Sequence, residues 1–357
     1  MTTKSIYFPP ASHISHNKID KCGHILISAE STPQQLEDAN RLIGSWRASH
    51  LYPLNTFRST LIRKVARYES TIVAQRLKRM NTIIRKLIRY PNMQLSTMQD
   101  IAGLRAIVNS PKEVYELKNY YFSSSLSHEV KEYYDYIESP KDDGYRGIHI
   151  VFKYVGRNEI AHQYDGLLIE LQLRTKLQHT WATAVEAAGI INNEKYKNGR
   201  GNKAWLKFFK LASEAFEVIE YLDNSKSLVR KPTRRPIEIY SELAELDKKE
   251  HILEKLVNYS NAIDIIDKNN SPATYYIILL LPSQHEVKIN SFTKNEYANA
   301  IKIYSELENN AKTSNSDQVL VSVGDIKNLR LAYPSYFADI TDFVEEIKIL
   351  KQLTLVS

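Results

Sequence analysis

Cysteine is almost absent: the chain of 357 residues holds one, Cys22. A single thiol excludes an internal disulfide and any zinc site built on cysteine, and it suits a reducing compartment. The 10 histidines contain no HxxxH pair, which removes the helical two-histidine metal site as well. Long apolar runs are also missing. The longest, Tyr275 to Leu281, is stopped by Pro282 and falls far short of the ~20 residues that cross a bilayer. The opening MTTKSIYFPP lacks the apolar stretch of a signal peptide. No repeat or low-complexity segment stands out. The expectation is a soluble, cytoplasmic, globular protein.

With 43% hydrophobic and 25% charged residues, the chain can bury a proper core, and its length favours two domains. Charge is unevenly shared. From Pro236 onward there are 12 Lys/Arg against 18 Asp/Glu, leaving 36 against 23 for residues 1–235. The two parts, net −6 and +13, attract each other, and the basic part raises the prior for a polyanionic partner. SKSLVRKPTRRP, residues 225–236, marks the boundary: periodicity lapses and two prolines sit among basic residues. Domains of 1–235 and 236–357 follow. The fold class read from periodicity is α+β in both.

In the first domain the patterns predict helices near 34–50, 55–67, 69–90, 112–122, 175–192 and 203–223. Strands are predicted near 104–109, 130–137, 147–155 and 164–174, giving a mixed β-sheet with flanking helices. In the second they predict a helix near 237–258, strands near 274–281 and 284–290, a helix near 293–308, a strand near 318–323 and a closing helix near 339–351. Residues 1–33 carry no readable pattern, and Cys22 and His24 there read as incidental.

Three segments carry chemistry. In YDGLLIELQLRTKLQHT, residues 164–180, Ile169, Leu171 and Leu173 alternate with Glu170, Gln172 and Arg174. A strand of that pattern buries one face and lines a carboxylate, an amide and a guanidinium along the other. On a helical wheel over 72–89, Val73, Leu77, Met80, Ile84, Leu87 and Ile88 form an apolar stripe. Lys78, Arg79, Arg85, Lys86 and Arg89 lie opposite it with no carboxylate among them, so the face suits an anion, although a solvated basic face is the simpler reading. In KDDGYRGIHI, residues 141–150, Gly144 and Gly147 bracket Tyr145 and Arg146, which a sharp turn would present outward. A tyrosine so placed can stack on a base, or can be an ordinary exposed loop residue.

Taken together, RLKRMNTIIRK (76–86), DIAGLR (100–105), DGYRGIHI (143–150) and IELQLRTKLQHTWA (169–182) resemble the synthetase domain of the RelA/SpoT family, over roughly residues 35–210. The resemblance implies a nucleotidyltransferase-like architecture and transfer of pyrophosphate from ATP to a ribose 3′-hydroxyl. It implies that Arg76, Lys78 and Lys86 hold ATP phosphates, with Arg105 near the adenine. Asp100 and Glu170 would carry Mg²⁺, and Glu170 would help with the metal or take the proton of the attacking hydroxyl. Tyr145 would stack on the acceptor base, and Arg146, His149, Gln172, Arg174 and His179 would complete the acceptor site. Each has a bland alternative: an N-cap for Asp100, a cross-strand charge pattern for Glu170 and Arg174, a packed histidine for His179.

The acceptor is read first as the 3′-CCA end of tRNA, because Lys and Arg extend through Arg58, Arg63, Lys64 and Arg67 and through Lys195, Lys197, Arg200, Lys203, Lys207 and Lys210 as an extended phosphate track. The alternatives are synthesis of ppGpp and pppGpp from GDP and GTP, and a catalytically silent RNA-binding or phage-sensing module. Hydrolysis is not expected, since no HD pair precedes the resemblance. LRLAYPSYFADITDF, residues 329–343, resembles the C-terminal part of CapRel-type fused toxin–antitoxin proteins, a zinc-finger-like domain without its ligands. That implies restraint of the synthetase through Tyr333 and Tyr336 and release by a phage major capsid protein. Core aromatics beside Pro334 are the plain alternative.

Overall fold

The computed structural model describes residues 15–123, 127–192, 194, 196, 199–222, 231–261, 264–267, 273–281, 284, 286–310, 317–322, 329, 333, 337 and 339–353. The chain opens with three helices, α1 (His16–Ile27), α2 (Pro33–Ser49) and α3 (Leu51–Val65). Pro33 at the first turn and a reciprocal Thr32–Gln35 capping box start α2. The pattern read over 69–90 as one helix is two elements. Ser70, at φ 49°, turns the chain into strand β1 (Ile72–Leu77), and α4 (Met80–Arg89) begins only after it. Ile72 and Val73 favour the strand, and pairing on both edges overrides the helical spacing. The apolar stripe of α4 is Met80, Ile83 and Leu87, and Ile88 is exposed. Those three meet Ile19 and Cys22 of α1 and Trp46 of α2, so α1 joins the core through Ile19 and Cys22.

Next come β2 (Ala102–Val108), α5 (Pro111–Ser123), β3 (Glu129–Asp135), β4 (Ile148–Lys153), a short α6 (Glu159–His162) and β5 (Leu168–Thr175). Thr175 ends β5 and caps α7 (Lys176–Ile191) through a second capping box with Gln178. After α8 (Lys203–Leu222), the stretch read as one helix near 237–258 is again two, α9 (Pro236–Glu250) and α10 (Ile252–Asn261), because His251 adopts the left-handed conformation. The remaining elements are β6 (Asp264–Asp267), β7 (Tyr275–Leu281), β8 (Glu286–Phe292), α11 (Tyr297–Asn310), β9 (Asp317–Ser322) and α12 (Thr341–Leu353). β6 has no counterpart among the strands the sequence predicts.

Among the described residues, nine strands form one mixed sheet in the order β3-β4-β5-β2-β1-β9-β7-β8-β6. Strands from before residue 236 fill one half and strands from after it the other. They join where Gln75 and Arg76 of β1 pair with Ser322 and Val321 of β9. One face is mainly apolar: Leu104, Ile150, Leu171 and Leu173 continue into Tyr275, Ile277 and Leu320, covered by α3, α5 and α11. A helical layer of α7, α8, α9, α10 and α12 builds a second core on Trp181, Phe208, Phe209, Phe216 and Phe343.

Two buried polar groups tie the layers. Glu308 on α11 pairs with Arg47 of α2 at 2.8 Å and accepts the Met80 backbone N–H at 2.8 Å, capping α4 from a distant part of the chain. His50, between α2 and α3, donates from Nδ1 to the Trp46 carbonyl at 2.9 Å and is 1% exposed. Burial, reinforced by nearby Arg47 and opposed by the Trp46 carbonyl, pushes its pKa down to about 4 from 6.5. Its stabilising contribution is therefore complete above pH 6.5 and is lost as pH falls towards 4, a loss of roughly 3 kcal/mol. In urea titrations across that range, H50N should lose less stability than the natural chain. Parallel losses in the two proteins would remove His50 as the cause.

Candidate active site

The site lies on the other face of the sheet. Cross-strand register sets Arg76 of β1 beside Gly103 of β2, and Gly103 beside Glu170 of β5. Two residues along, the same face carries Ala74, Arg105, Gln172, His149 and, at the open edge, Tyr134 of β3. A glycine thus separates a cation from a carboxylate, and a row of polar groups runs from the middle of the sheet to its edge.

Glu170 belongs to a closed ring of hydrogen bonds. His149 Nδ1 donates to its Oε1 at 2.8 Å and Gln172 Nε2 to its Oε2 at 2.8 Å. The Tyr145 hydroxyl donates to His149 Nε2 at 2.5 Å. Arg174 completes the circuit, giving Nη2–H to the Tyr145 oxygen at 2.6 Å and to Gln172 Oε1 at 3.1 Å. Burial works against ionisation of Glu170, but the bonds from His149 and Gln172 and the charge of Arg76 outweigh it and hold the carboxyl well below its usual range. Burial also lowers the pKa of His149 against the pull of Glu170. The pair is an ionised glutamate beside a neutral imidazole with its proton on Nδ1.

Asp100 precedes β2 and sits between two ammonium groups, Lys78 Nζ at 2.6 Å and Lys86 Nζ at 2.9 Å. The carboxylate absent from the basic segment's own sequence is this one, brought in from the next turn. Burial would raise the Asp100 pKa, yet the two lysines bring it below its usual value, and Glu170 is close enough to oppose them. Burial lowers Lys78 to about 8 despite Asp100. Arg105 is half-buried, and its pKa is lowered to about 10 by burial and then by the charges of Arg174 and Arg76. Three guanidiniums and two lysines thus surround two carboxylates. Among the described residues no cluster of three His, Cys, Asp or Glu side chains could cage a metal. A donor set of two carboxylates next to lysine and arginine side chains fits Mg²⁺, which takes few protein ligands and completes its shell with substrate phosphates and water.

Beside Arg76, Gly103, Leu104, Arg105 and Gln172 runs a crevice closed on one side by Tyr333, with space for about one water molecule. Tyr333 is buried against Ile72, Ala74 and Ile107, and its hydroxyl donates to the Gln75 carbonyl at 2.7 Å. Tyr336 lies outside the described residues.

Other expectations are corrected. The glycine loop does not present its side chains outward. Gly144, at φ 92°, lets the backbone press onto α8, where a Cβ would stand 3.1 Å from Ser213 Cβ and 3.3 Å from Lys210 Cα. Tyr145 is accordingly 8% exposed, and Arg174 stacks 4.9 Å from its ring centre. Arg146 points inward to Glu220 at 2.5 Å, and Glu220 also takes bonds from Thr175 and Gln178. Arg146 is thus a buried anchor for α8. His179 is buried on α7. The proposed basic track divides: Arg58, Arg63 and Lys64 stand on α3 and Lys203, Lys207 and Lys210 on α8, helices that pack in different cores, with Arg67 paired to Glu116 and Lys207 to Glu242, while Lys195 and Lys197 lie outside the described residues. Sequence reasoning missed Tyr134, Tyr136 and Glu220. The alternation of Glu132, Tyr134 and Tyr136 would have placed the two tyrosines on one strand face.

A sheet face with two carboxylates held among lysines and arginines suits phosphoryl or pyrophosphoryl transfer. The family model described as a region found in RelA / SpoT proteins matches residues 75–201. The "GTP pyrophosphokinase YjbM" of Bacillus subtilis (strain 168) is 30% identical over 160 residues, 44% of this chain and 71% of the relative. The "GTP pyrophosphokinase YwaC" of the same organism is 26% identical over 163 residues, with the same coverage. Among solved structures, small alarmone synthetase 1 from Bacillus subtilis bound to its product pppGpp is 25% identical with a TM-score of 0.42, covering 51% of this chain and 95% of that one. The chain belongs to the RelA/SpoT family and is a pyrophosphokinase-type diphosphotransferase. No described helix is long and apolar enough to cross a membrane.

Proposed function

We propose that this chain transfers pyrophosphate from ATP to the 3′-hydroxyl of GDP or GTP, and that the segment after residue 235 restrains it. The observation that supports the reading is the register of Arg76, Gly103 and Glu170, which sets a guanidinium and an ionised carboxylate on either side of β2 on the same face. Arg76, Lys78 and Lys86 spread positive charge over the phosphates, with Arg105 on the adenine side. Asp100 and Glu170 would hold Mg²⁺, which neutralises phosphate charge. Glu170, fixed by His149 and Gln172, accepts the hydrogen of the attacking hydroxyl. The new bond joins that oxygen to the β-phosphorus, the bond from the β-phosphorus to the α-phosphate oxygen breaks, and AMP leaves.

Guanine nucleotide stands first as acceptor because two relatives are named GTP pyrophosphokinases and because the basic residues fail to line up as one long track. A second reading, in which the 3′ end of tRNA is modified to block translation, is favoured by Tyr134, an exposed aromatic at the outer end of the row. Restraint is supported by Tyr333, which lines the crevice beside Arg76 and Arg105. In that reading residues 1–235 are the working unit and residues 236–357 the regulatory one, released when a protein ligand such as a phage capsid protein binds it.

The test is label transfer from ATP labelled at the β and γ positions, with GDP plus GTP in one reaction and deacylated tRNA in another, using the full chain and its Y333A variant. Label on guanine nucleotide supports the first reading and label on tRNA the second. Absence of transfer by both proteins in both reactions would sink the enzymatic proposal.

A further inference from the structure

The lysine pair on Asp100 is held in place from a distant part of the chain. Lys78 reaches Asp100 from just before α4 and Lys86 from within it, so the spacing of the two ammonium groups depends on where that helix begins. Its N-cap, Arg79, makes no side-chain cap bond. Two outside acceptors fix the backbone on either side of Arg79 instead. The Lys78 N–H donates to the Ile101 carbonyl at 2.7 Å, and the Met80 N–H to Glu308 Oε1 at 2.8 Å. The same oxygen accepts from the Tyr304 hydroxyl at 2.8 Å, while Glu308 Oε2 takes Arg47 Nη1 of α2 at 2.8 Å. Glu308 is buried, so all of these bonds are shielded from water. A carboxylate at the start of a helix satisfies an orphan donor and meets the positive end of the macrodipole.

We infer that Glu308 is a positioning residue for the phosphate end of the site: by capping α4 it fixes the corner between β1 and α4, and with it the span across which Lys78 and Lys86 meet the phosphates of ATP. The inference rests on the reading of those two lysines given above and deepens it. Met80, Ile83 and Leu87 hold one face of α4 against α1 and α2, whereas the bond to its first N–H sets its position along its own axis. The segment after residue 235 therefore acts on the synthetase with two signs. Tyr333 lines the crevice beside Arg76 and Arg105, while Glu308 supports the phosphate side. Release of the restraint has to move Tyr333 and leave α11 where it is, because displacing α11 as well would lower the affinity for phosphates.

The experiment is calorimetric titration of the full chain with inorganic tripolyphosphate in magnesium buffer, a probe that reports the phosphate side without an adenine. Changing Glu308 alone would leave Arg47 as an unpaired buried charge, so both are replaced. R47M/E308Q keeps an amide oxygen for the Met80 N–H and should bind the probe as the natural chain does. R47M/E308M has similar bulk without that acceptor and should bind about 5- to 30-fold more weakly, the worth of one helix cap expressed as affinity. Thermal melting compares the folds of the two variants. By reciprocity, tripolyphosphate should also slow hydrogen exchange of the amides at residues 80–83 in the natural full chain, a test that needs no substitution. Equal affinities in the two variants, or exchange that the probe leaves unchanged, would overturn the inference and leave the phosphate reading in place. If the natural chain does not bind tripolyphosphate, that reading fails and the inference with it.

Discussion

Replacing Glu170 with glutamine lowers pyrophosphate transfer by about 10²–10⁴-fold, the range expected when a positioned proton acceptor is removed. The expectation follows from the ring geometry. Both oxygens of Glu170 accept hydrogen bonds, from His149 and from Gln172. An amide there must turn its own N–H groups towards one of those donors, so the substitution removes the charge and also opens the circuit that reaches Arg174 through Tyr145. Transfer is measured in the Y333A background, and thermal melting compares the folds. Activity within tenfold of the parent would show that the carboxylate is not at the reacting hydroxyl. Unchanged activity accompanied by lost affinity for the acceptor would return Glu170 to the binding face.

Tyr333→Ala is expected to strengthen binding of a non-hydrolysable ATP analogue at least tenfold while GDP binding stays as it was. The crevice beside Arg76 and Arg105 has room for little more than one water, and the phenol ring is part of its wall. An adenine cannot enter while the ring stays, so apparent ATP affinity is reduced by the fraction of molecules that hold it closed. Tyr333→Phe supplies the control. It loses the bond to the Gln75 carbonyl but keeps the ring, and it should bind the analogue close to the natural chain. Equal affinities in Y333A and the natural chain would show that Tyr333 is a core residue with no gating role. A point variant is preferable to deleting the residues after 235, because Phe343 packs on Phe208, Phe209 and Phe216 and the deletion would strip that core.

Much of the site was legible in the order of residues. The alternation at 169–174 put Glu170, Gln172 and Arg174 on one face, and β5 has that arrangement, since a strand's period of two leaves no other choice. Asp100 and its two lysines were named as well, although not as partners. The helix read over 69–90 failed because a spacing of three and four fits Val73, Leu77 and Met80 as well as a strand followed by a helix does. Pairing with β2 and β9, which no local window contains, decided between them. The outward loop failed for a similar reason. Glycines permit a sharp turn, but whether the turn faces water or α8 depends on Ser213 and Lys210, far along the chain. The capping of α4 by Glu308 was equally out of reach, with 228 residues between carboxylate and amide.

Gly103 sets a length. Neighbouring strands lie ~4.8 Å apart, so the backbones of Arg76 and Glu170, on either side of β2, stand on the order of 10 Å from each other. Nothing projects between them, and a Cβ on Gly103 would find only Arg76, 3.9 Å away. That distance is fixed by main-chain hydrogen bonds instead of by side chains that can swing, and it works as a gauge for whatever is laid across it. Changes in the surrounding helices leave the gauge untouched. A slip of β2 by one residue would turn its side chains over and set Ala102 or Leu104 in the gap, so the strand's register is under tighter constraint than any single side chain along it.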